Sequence, residues 1–391
     1  MISNNTQNYR NNMKVLFLGW EFPPQSIGGL GTHSYNIVKA LSEKGVIVTV
    51  ILPFKEHTKI KGVKFLTFES QLSSGMYTLS NKKRGDKDEA KMLYKDVLSE
   101  VEEYKNRALE LSNKADFEVI HANDWVTGRA AIEIKKRTGK KLIVTIHSTE
   151  YDRTAGKPWN KIVEEEKALI DNADIIVTVS RRLKEEIISL YKADEKKISV
   201  VYNAINKEKF KGIKKNSKQK IVLYVGRLSV QKGIDNLIKA FKIVSEKYED
   251  VLLYIIGEGS ELPNLINLSI KLGLADKVIF LGRVPDQEME VFYSIANIFV
   301  MPSVSEPFGI VALEAIASNV PTIVSTQSGV SEIIKNTFKV DFWDTEQMAD
   351  LILGVLNYDQ IDKELSKNAY KELDNITWEK AAEKFITLYN E

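Results

Sequence analysis

The sequence predicts an α/β protein built from two Rossmann-like, doubly wound domains that face each other across a cleft. Three observations predict it. Short apolar runs of strand length alternate with longer amphipathic stretches from Met13 to about Asn203. A stretch of low apolar content, Asn206 to Lys220, then carries seven lysines. The alternation restarts at Ile221. Strands that are apolar at nearly every position and separated by helices are the pattern of parallel sheets covered on both faces.

The elements follow in order. Residues 1–12, MISNNTQNYRNN, are polar and read as a disordered lead-in. Lys14–Gly19 is the first buried strand, followed by a loop from Trp20 to Ile27 and the turn Gly28-Gly29-Leu30-Gly31. Thr32 to Lys44 reads as a helix closed by Gly45, because glycine takes the left-handed conformation that ends helices. Val46–Leu52 is the second strand. Lys82 to Lys114 is apolar near helical spacing at Leu93, Val97, Val101, Tyr104, Ala108 and Leu111. It is predicted as one long surface helix with its mixed charges in solvent. Strands at Phe117–His121, Lys141–Ile146 and Asp174–Val179 complete the first domain, 13–205.

The basic stretch 206–220 is the expected linker. In the second domain, 221–376, strands are predicted at Ile221–Val225, Val251–Ile256, Val278–Leu281, Ile298–Met301 and Thr322–Val324. Helices are predicted at Ile234–Tyr248 and Gly309–Ser318. Residues 377–391 read as a terminal helix that packs back on the first domain. Ligands of open α/β sheets bind beyond the carboxyl ends of the strands, so the cleft is where chemistry is expected.

Composition removes several classes. Lys+Arg is 55 and Asp+Glu 53, a net charge of +2, which gives no reason to expect nucleic acid. With no cysteine, disulfide scaffolds, thiolate metal sites and a cysteine nucleophile are excluded. The four histidines, His33, His57, His121 and His147, never fall at the i, i+4 spacing of a zinc-binding helix. No metal and no cofactor are expected. No apolar run approaches the roughly 20 residues of a membrane span, and the N-terminus lacks the apolar core of a signal peptide. The expected location is therefore cytoplasmic, without stable membrane insertion.

The candidate functional residues all follow strands. Gly28 and Gly29 precede a helix, where bare backbone N–H groups and the helix dipole favour an anion. Their pattern matches neither a dinucleotide fingerprint nor a Walker loop. Gly226-Arg227-Leu-Ser-Val-Gln-Lys232-Gly233 sets two cations around a turn, a metal-free clamp for a diphosphate. Pro302-Ser-Val-Ser-Glu306-Pro-Phe-Gly309-Ile310-Val311-Ala-Leu-Glu314 places one glutamate in a loop and a second eight residues on, inside a helix. The N–H groups of Gly309, Ile310 and Val311 would be unpaired at the helix start. Glu314 lies among apolar neighbours, where a carboxylate without a partner is costly. His121-Ala-Asn-Asp124-Trp and Thr145-Ile-His147-Ser-Thr each close a strand, and Gly257-Glu258-Gly259 closes another.

Taken together with Trp20-Glu-Phe-Pro-Pro, these motifs resemble glycosyltransferase family 4, nearest to the branch of bacterial and archaeal glycogen synthases. The resemblance runs from about Met13 to the C-terminus. It implies the GT-B fold and a retaining transfer of a hexose, glucose foremost, from a nucleotide-diphosphate sugar such as ADP- or UDP-glucose to a carbohydrate acceptor. By this resemblance Arg227 and Lys232 hold the donor diphosphate, with Gly28 and Gly29 closing over it and Glu258 on the donor side. Glu306 meets the sugar hydroxyls and Glu314 the ribose. His147 lies beside the reacting sugar, and Asp124 lines the same pocket. Bacterial glycogen synthases carry Lys-Thr-Gly-Gly where this chain has Ser26-Ile27-Gly28-Gly29, which favours family 4 over that family proper and leaves the donor base open. Two alternatives stand beside an α-glucan acceptor: a lipid or small-molecule acceptor, and a non-catalytic sugar-binding protein of the same fold.

Overall fold

The computed structural model describes residues 13–24, 28–55, 58–70, 87–210 and 219–391, the side chains of 87–95 and 359–363 excepted. The lead-in 1–12, Ser26 and Ile27, His57, residues 82–86 and most of the expected linker, 211–218, lie outside the described residues.

The first domain runs β1 (Lys14–Leu18), α1 (Gly29–Glu43), β2 (Ile47–Leu52), β3 (Val63–Thr67), α2 (Lys87–Ser112), β4 (Val119–Asn123), α3 (Gly128–Thr138), β5 (Lys141–Ile146), α4 (Glu150–Arg153), α5 (Asn160–Asn172), β6 (Ile175–Thr178), α6 (Arg181–Tyr191) and β7 (Ile198–Val200). Its strands form one parallel sheet in the order β3-β2-β1-β4-β5-β6-β7. The second domain runs β8 (Lys220–Val225), α7 (Ile234–Lys247), β9 (Val251–Ile256), α8 (Leu262–Lys271), β10 (Val278–Gly282), α9 (Asp286–Ile295), β11 (Ile298–Met301), α10 (Ile310–Ala317), β12 (Thr322–Ser325), β13 (Phe338–Val340), α11 (Thr345–Asn357) and α12 (Asp359–Glu372). Its parallel sheet has the order β10-β9-β8-β11-β12-β13. In both sheets the order reverses beside the first strand, the switch point where such folds bind ligands.

The apolar runs located the central strands. The edge strands β3, β7 and β13 carry no such run. β3 has no fully buried position, because an edge strand is covered less than its neighbours. The first helix begins at Gly29, three residues before the predicted Thr32, with Gly28 extended at its N-cap. Gly28, Gly29 and Gly31 therefore need no left-handed backbone, and the segment is a helix start. α2 is not wholly a surface helix either: Val97, Val101, Tyr104, Ala108 and Leu109 are buried in the core. Within the expected linker, Lys207–Phe210 forms a 3-10 turn whose Phe210 packs against Tyr293 of the second domain, ring centroids 6.1 Å apart.

The chain crosses between domains twice, after β7 and again just before Trp378. The Ile205 N–H donates to the Ile376 carbonyl at 3.2 Å, tying the two crossings together. After the second crossing, α13 (Trp378–Asn390) packs on the first domain. Its N-cap hydroxyl, on Thr377, accepts from the Lys380 N–H. Trp378, Ala382, Phe385 and Ile386 are buried in the same core as Ile37, Val38 and Leu41 of α1. Burial of each large side chain stabilises by about 1.5–3 kcal/mol, enough to fix the helix there. Among the described residues no helix is long and apolar enough to cross a membrane.

One charge in α2 works against this fold. Glu100 is 4% exposed, and neither of its buried carboxylate oxygens has a hydrogen-bond partner. Burial, reinforced by Glu103 and Asp96, pushes it up to about 7. The folded protein thus holds a proton that the unfolded chain releases near pH 4.5, so Glu100 favours folding at low pH and opposes it above pH 7. Glu100→Gln is expected to raise Tm by a few degrees at pH 8, a gain of about 1–2 kcal/mol after allowance for solvent screening, and to change little at pH 5. Thermal unfolding at the two pH values checks this. An equal shift at both would assign the effect to packing.

Candidate active site

Three strand-end loops of the second domain build one wall of the cleft. They follow β8, β9 and β11, and they interlock. Gly233 sits at φ 61° at the end of the 3-10 turn Val230–Lys232. A Cβ there would come within 2.2 Å of the Pro302 carbonyl. Only glycine lets the Lys232 turn dock on the loop after β11. The docking is sealed by the Val304 N–H donating to the Gln231 carbonyl at 2.9 Å.

The result is a pair of opposite charges in a sheltered place. Lys232 Nζ donates to Glu306 Oε2 at 2.5 Å, and Ser303 Oγ donates to the same oxygen at 3.2 Å. Glu306 is 7% exposed. Its main chain is held on both sides, its N–H on the Gln327 carbonyl and its carbonyl by the Gly329 N–H. Gly309 then turns the chain into α10 at φ 104°, a left-handed conformation that favours glycine. A Cβ there would also meet the Met301 side chain at 2.7 Å. The N–H groups of Gly309, Ile310 and Val311 have no acceptor among the described residues. They form an open donor cluster at a helix N-terminus.

Glu314, in the second turn of α10, is half-buried. The expected cost of an unpartnered carboxylate there is avoided by a hydrogen bond: Tyr293 Oη donates to Glu314 Oε2 at 2.8 Å. Burial raises its pKa, partly offset by the Tyr293 bond. Oε1 has no protein partner among the described residues. Arg227 and Glu258 are exposed on the same strand-end rim, and the Leu228 N–H donates to the Glu258 carbonyl at 2.9 Å.

The first domain supplies the opposite wall. Asp124 follows β4 in a left-handed conformation, φ 55°, and is buried. Its Oδ1 accepts the His147 N–H at 2.7 Å. Asp124 thus fixes the backbone after β5 rather than only lining the pocket. His147 is half-buried, its Nε2 3.4 Å from Asn123 Oδ1. Burial, with His121 nearby, pulls its pKa down to about 3, so the ring is neutral at pH 7. His121 is not a site residue. It is fully buried, Nδ1 2.7 Å from Tyr389 Oη and Nε2 2.8 Å from Thr145 Oγ1, and it anchors α13 to the sheet. Gly28 and Gly29 are exposed at the start of α1, and a Cβ on Gly28 would lie 3.2 Å from the Glu21 carboxylate. Glu21, quoted within the Trp20 motif without a role, therefore sits at the glycine turn.

The two walls touch. Ser305 Oγ, beside Glu306, donates to Asp152 Oδ1 and accepts from Arg182 Nη2. The Glu332 carboxylate accepts the N–H groups of Arg181 and Arg182 at 2.9 and 2.8 Å, and the Tyr202 hydroxyl at 2.9 Å. A carboxylate of the second domain therefore caps α6 of the first, where the helix dipole favours it. The loops after β5 and β6 thus meet those after β11 and β12, and the candidate residues follow these and neighbouring strands. Sequence reading missed Asp152, Arg182, Ser305 and Glu332, because pairs 123 to 153 residues apart leave no local signal. Chemically, the second wall can hold a polyanion with cations and bare N–H groups and can accept hydroxyls on Glu306 and Glu314. Among the described residues no cluster of three or more metal-ligating side chains is present.

Comparison with known proteins agrees with this fold. The family model described as Glycosyltransferase Family 4 matches residues 27–209, and that of Glycosyl transferases group 1 matches 205–372. An uncharacterized glycosyltransferase of Methanocaldococcus jannaschii is 30% identical, covering 96% of this chain and 98% of its own. A glycogen synthase of Mycobacterium tuberculosis is 27% identical, over 83% of this chain and 80% of its own. Among solved structures, sucrose-phosphate synthase from Thermosynechococcus elongatus superposes with a TM-score of 0.80 at 22% identity, covering 97% and 98%. Anabaena HepE in complex with UDP and glucose gives 0.72 at 17%, covering 97% and 100%. The fold is GT-B, as the sequence led us to expect. With two adjoining family models and a relative similar along almost its whole length, the chain belongs to the family 4 glycosyltransferases.

Proposed function

We propose that this glycosyltransferase is a cytoplasmic enzyme that moves glucose, with retention, from ADP- or UDP-glucose to a hydroxyl of an α-glucan. One observation carries the reading: the Lys232–Glu306–Ser303 cluster lies beside three unpaired N–H groups at the start of α10. That is a site for an anion joined to a polyhydroxyl group. The similarity to a glycogen synthase supports the glucan acceptor, and the similarity to a protein solved with UDP and glucose supports the donor class.

The roles follow from the charges. Departure of the nucleoside diphosphate builds negative charge on phosphate and positive character on the anomeric carbon. Lys232, Arg227 and the α10 N–H groups stabilise the leaving group in place of a metal ion. The Gly28–Gly29 helix start closes over the phosphates from the other domain, and Glu258 lines the donor side. Glu306 accepts sugar hydroxyls, Glu314 the ribose hydroxyls through its free oxygen. Neutral His147, braced by Asp124, meets the sugar at the reacting centre. The acceptor attacks from the face the phosphate leaves, and the departing phosphate takes its proton, so no separate base is needed.

The test is NMR of the anomeric proton in the first product formed from UDP- or ADP-glucose and a maltooligosaccharide, with EDTA present. An α-linked product at an undiminished rate is expected. A β-linked product would overturn retention, and a strict Mg²⁺ or Mn²⁺ requirement would overturn the metal-free scheme.

A further inference from the structure

His33 lies on α1, and none of the roles above involves it. It is 1% exposed. Its Nδ1–H donates to Asn203 Oδ1 at 2.7 Å, and Asn203 is itself buried in the first domain crossing. The His33 ring meets the His147 ring edge to face, centroids 4.4 Å apart at 71°. Trp378 and Phe385 of α13 cover it at 5.6 and 6.2 Å. His33 Nε2 is buried without a partner, which leaves Nδ1 as the nitrogen that carries the proton.

One side chain thus touches both crossings and His147. Asn203 belongs to the first crossing, and Trp378 follows the second. A cavity of about 450 Å³ lies beside the crossings, lined by Asn203, Ile376 and Thr377 among others. His147 has little else to orient its ring. Its firm hydrogen bond is through the main chain to Asp124, and its Nε2 contact at 3.4 Å is too long to be strong. The His33 ring packs against it at 4.4 Å between centroids.

We propose that His33 is a positioning residue: it holds the His147 ring in its working orientation and, through Asn203, ties that orientation to the geometry of the domain crossing. The proposal rests on the placement of His147 beside the reacting sugar. Rotation of one domain against the other must displace Asn203 or Trp378, and the displacement reaches His147 through one ring. In that placement His147 meets the sugar and not the nucleoside diphosphate, so the effect should fall on turnover and spare nucleotide affinity.

The experiment compares His33→Leu, His33→Asn, Asn203→Leu and His147→Ala in steady-state kinetics, with calorimetry of the nucleoside diphosphate and thermal unfolding alongside. His33→Leu and Asn203→Leu should each lower kcat about 10- to 100-fold, the scale of a small misplacement. Nucleoside diphosphate affinity should stay within about twofold, the mark of an interaction confined to the sugar end of the site. His33→Asn keeps an N–H near the Nδ1 position but removes the ring packed on His147, so it should remain impaired. Unchanged kcat in Asn203→Leu, or wild-type kcat in His33→Asn, while His147→Ala is impaired, overturns the proposal alone. If His33→Leu fails to fold, these two variants still decide. If His147→Ala turns over normally, the placement of His147 fails, and this proposal with it.

Discussion

Lys232→Ala is expected to lower kcat/KM for the nucleotide-sugar by about 10²- to 10³-fold, the usual loss when one charge-stabilising donor is removed from a transition state. Two effects combine. The ammonium is held directly on Glu306, at 2.5 Å, so in the proposed site it would bridge that carboxylate and the leaving phosphate. Its removal also strands a carboxylate that is 7% exposed. Breaking a buried pair from one side costs about 3–5 kcal/mol. The double variant Lys232→Ala/Glu306→Gln separates the two. It should regain most of the Tm lost in Lys232→Ala while activity stays low, because the amide needs no counter-ion but the phosphate still does. Wild-type kcat/KM in Lys232→Ala would remove Lys232 from the site. Recovery of activity in the double variant would show that only the stranded charge mattered.

Glu306→Ala and Glu314→Ala should fail in different ways. Glu306 stands in the loop before α10, where it would meet the sugar whose bonding changes. Glu314 is two turns deeper with one oxygen on Tyr293 and the other free, suited to a ribose that does not react. A hydrogen bond to a charged group is worth about 1.5–3 kcal/mol, or roughly 10- to 150-fold. Glu314→Ala should therefore raise donor KM and weaken nucleoside diphosphate binding by about that factor with kcat nearly kept. Glu306→Ala should mainly lower kcat and leave nucleoside diphosphate affinity nearly intact. Calorimetry beside steady-state kinetics reads both. Loss of nucleotide binding in Glu306→Ala, with none in Glu314→Ala, would reverse the orientation of the donor.

The central strands of both sheets were legible in the sequence, because a strand buried on both faces must be apolar throughout. β1, β8 and β11 show it. So were the motifs at their carboxyl ends, where Gly233 and Gly309 mark turns that a side chain would block. The pairing of Lys232 with Glu306 was not legible. The two lie 74 residues apart, and the ion pair exists only because Gly233 lets one loop dock on another.

By itself, then, the sequence determined two parallel-sheet domains, the motifs at their strand ends and the terminal helix that returns. These rest on short-range rules: hydrophobic periodicity, glycine conformation and unpaired N–H groups at helix starts. Only the tertiary structure decided which carboxylates are free. It gave one oxygen of Glu314 to Tyr293, spent Asp124 on the His147 backbone, sealed His121 against Tyr389, and joined the domains through Asp152, Ser305 and Glu332. The reason is that the fate of a polar group depends on what is packed against it. That neighbour comes from another part of the chain, where the local sequence holds no record of it.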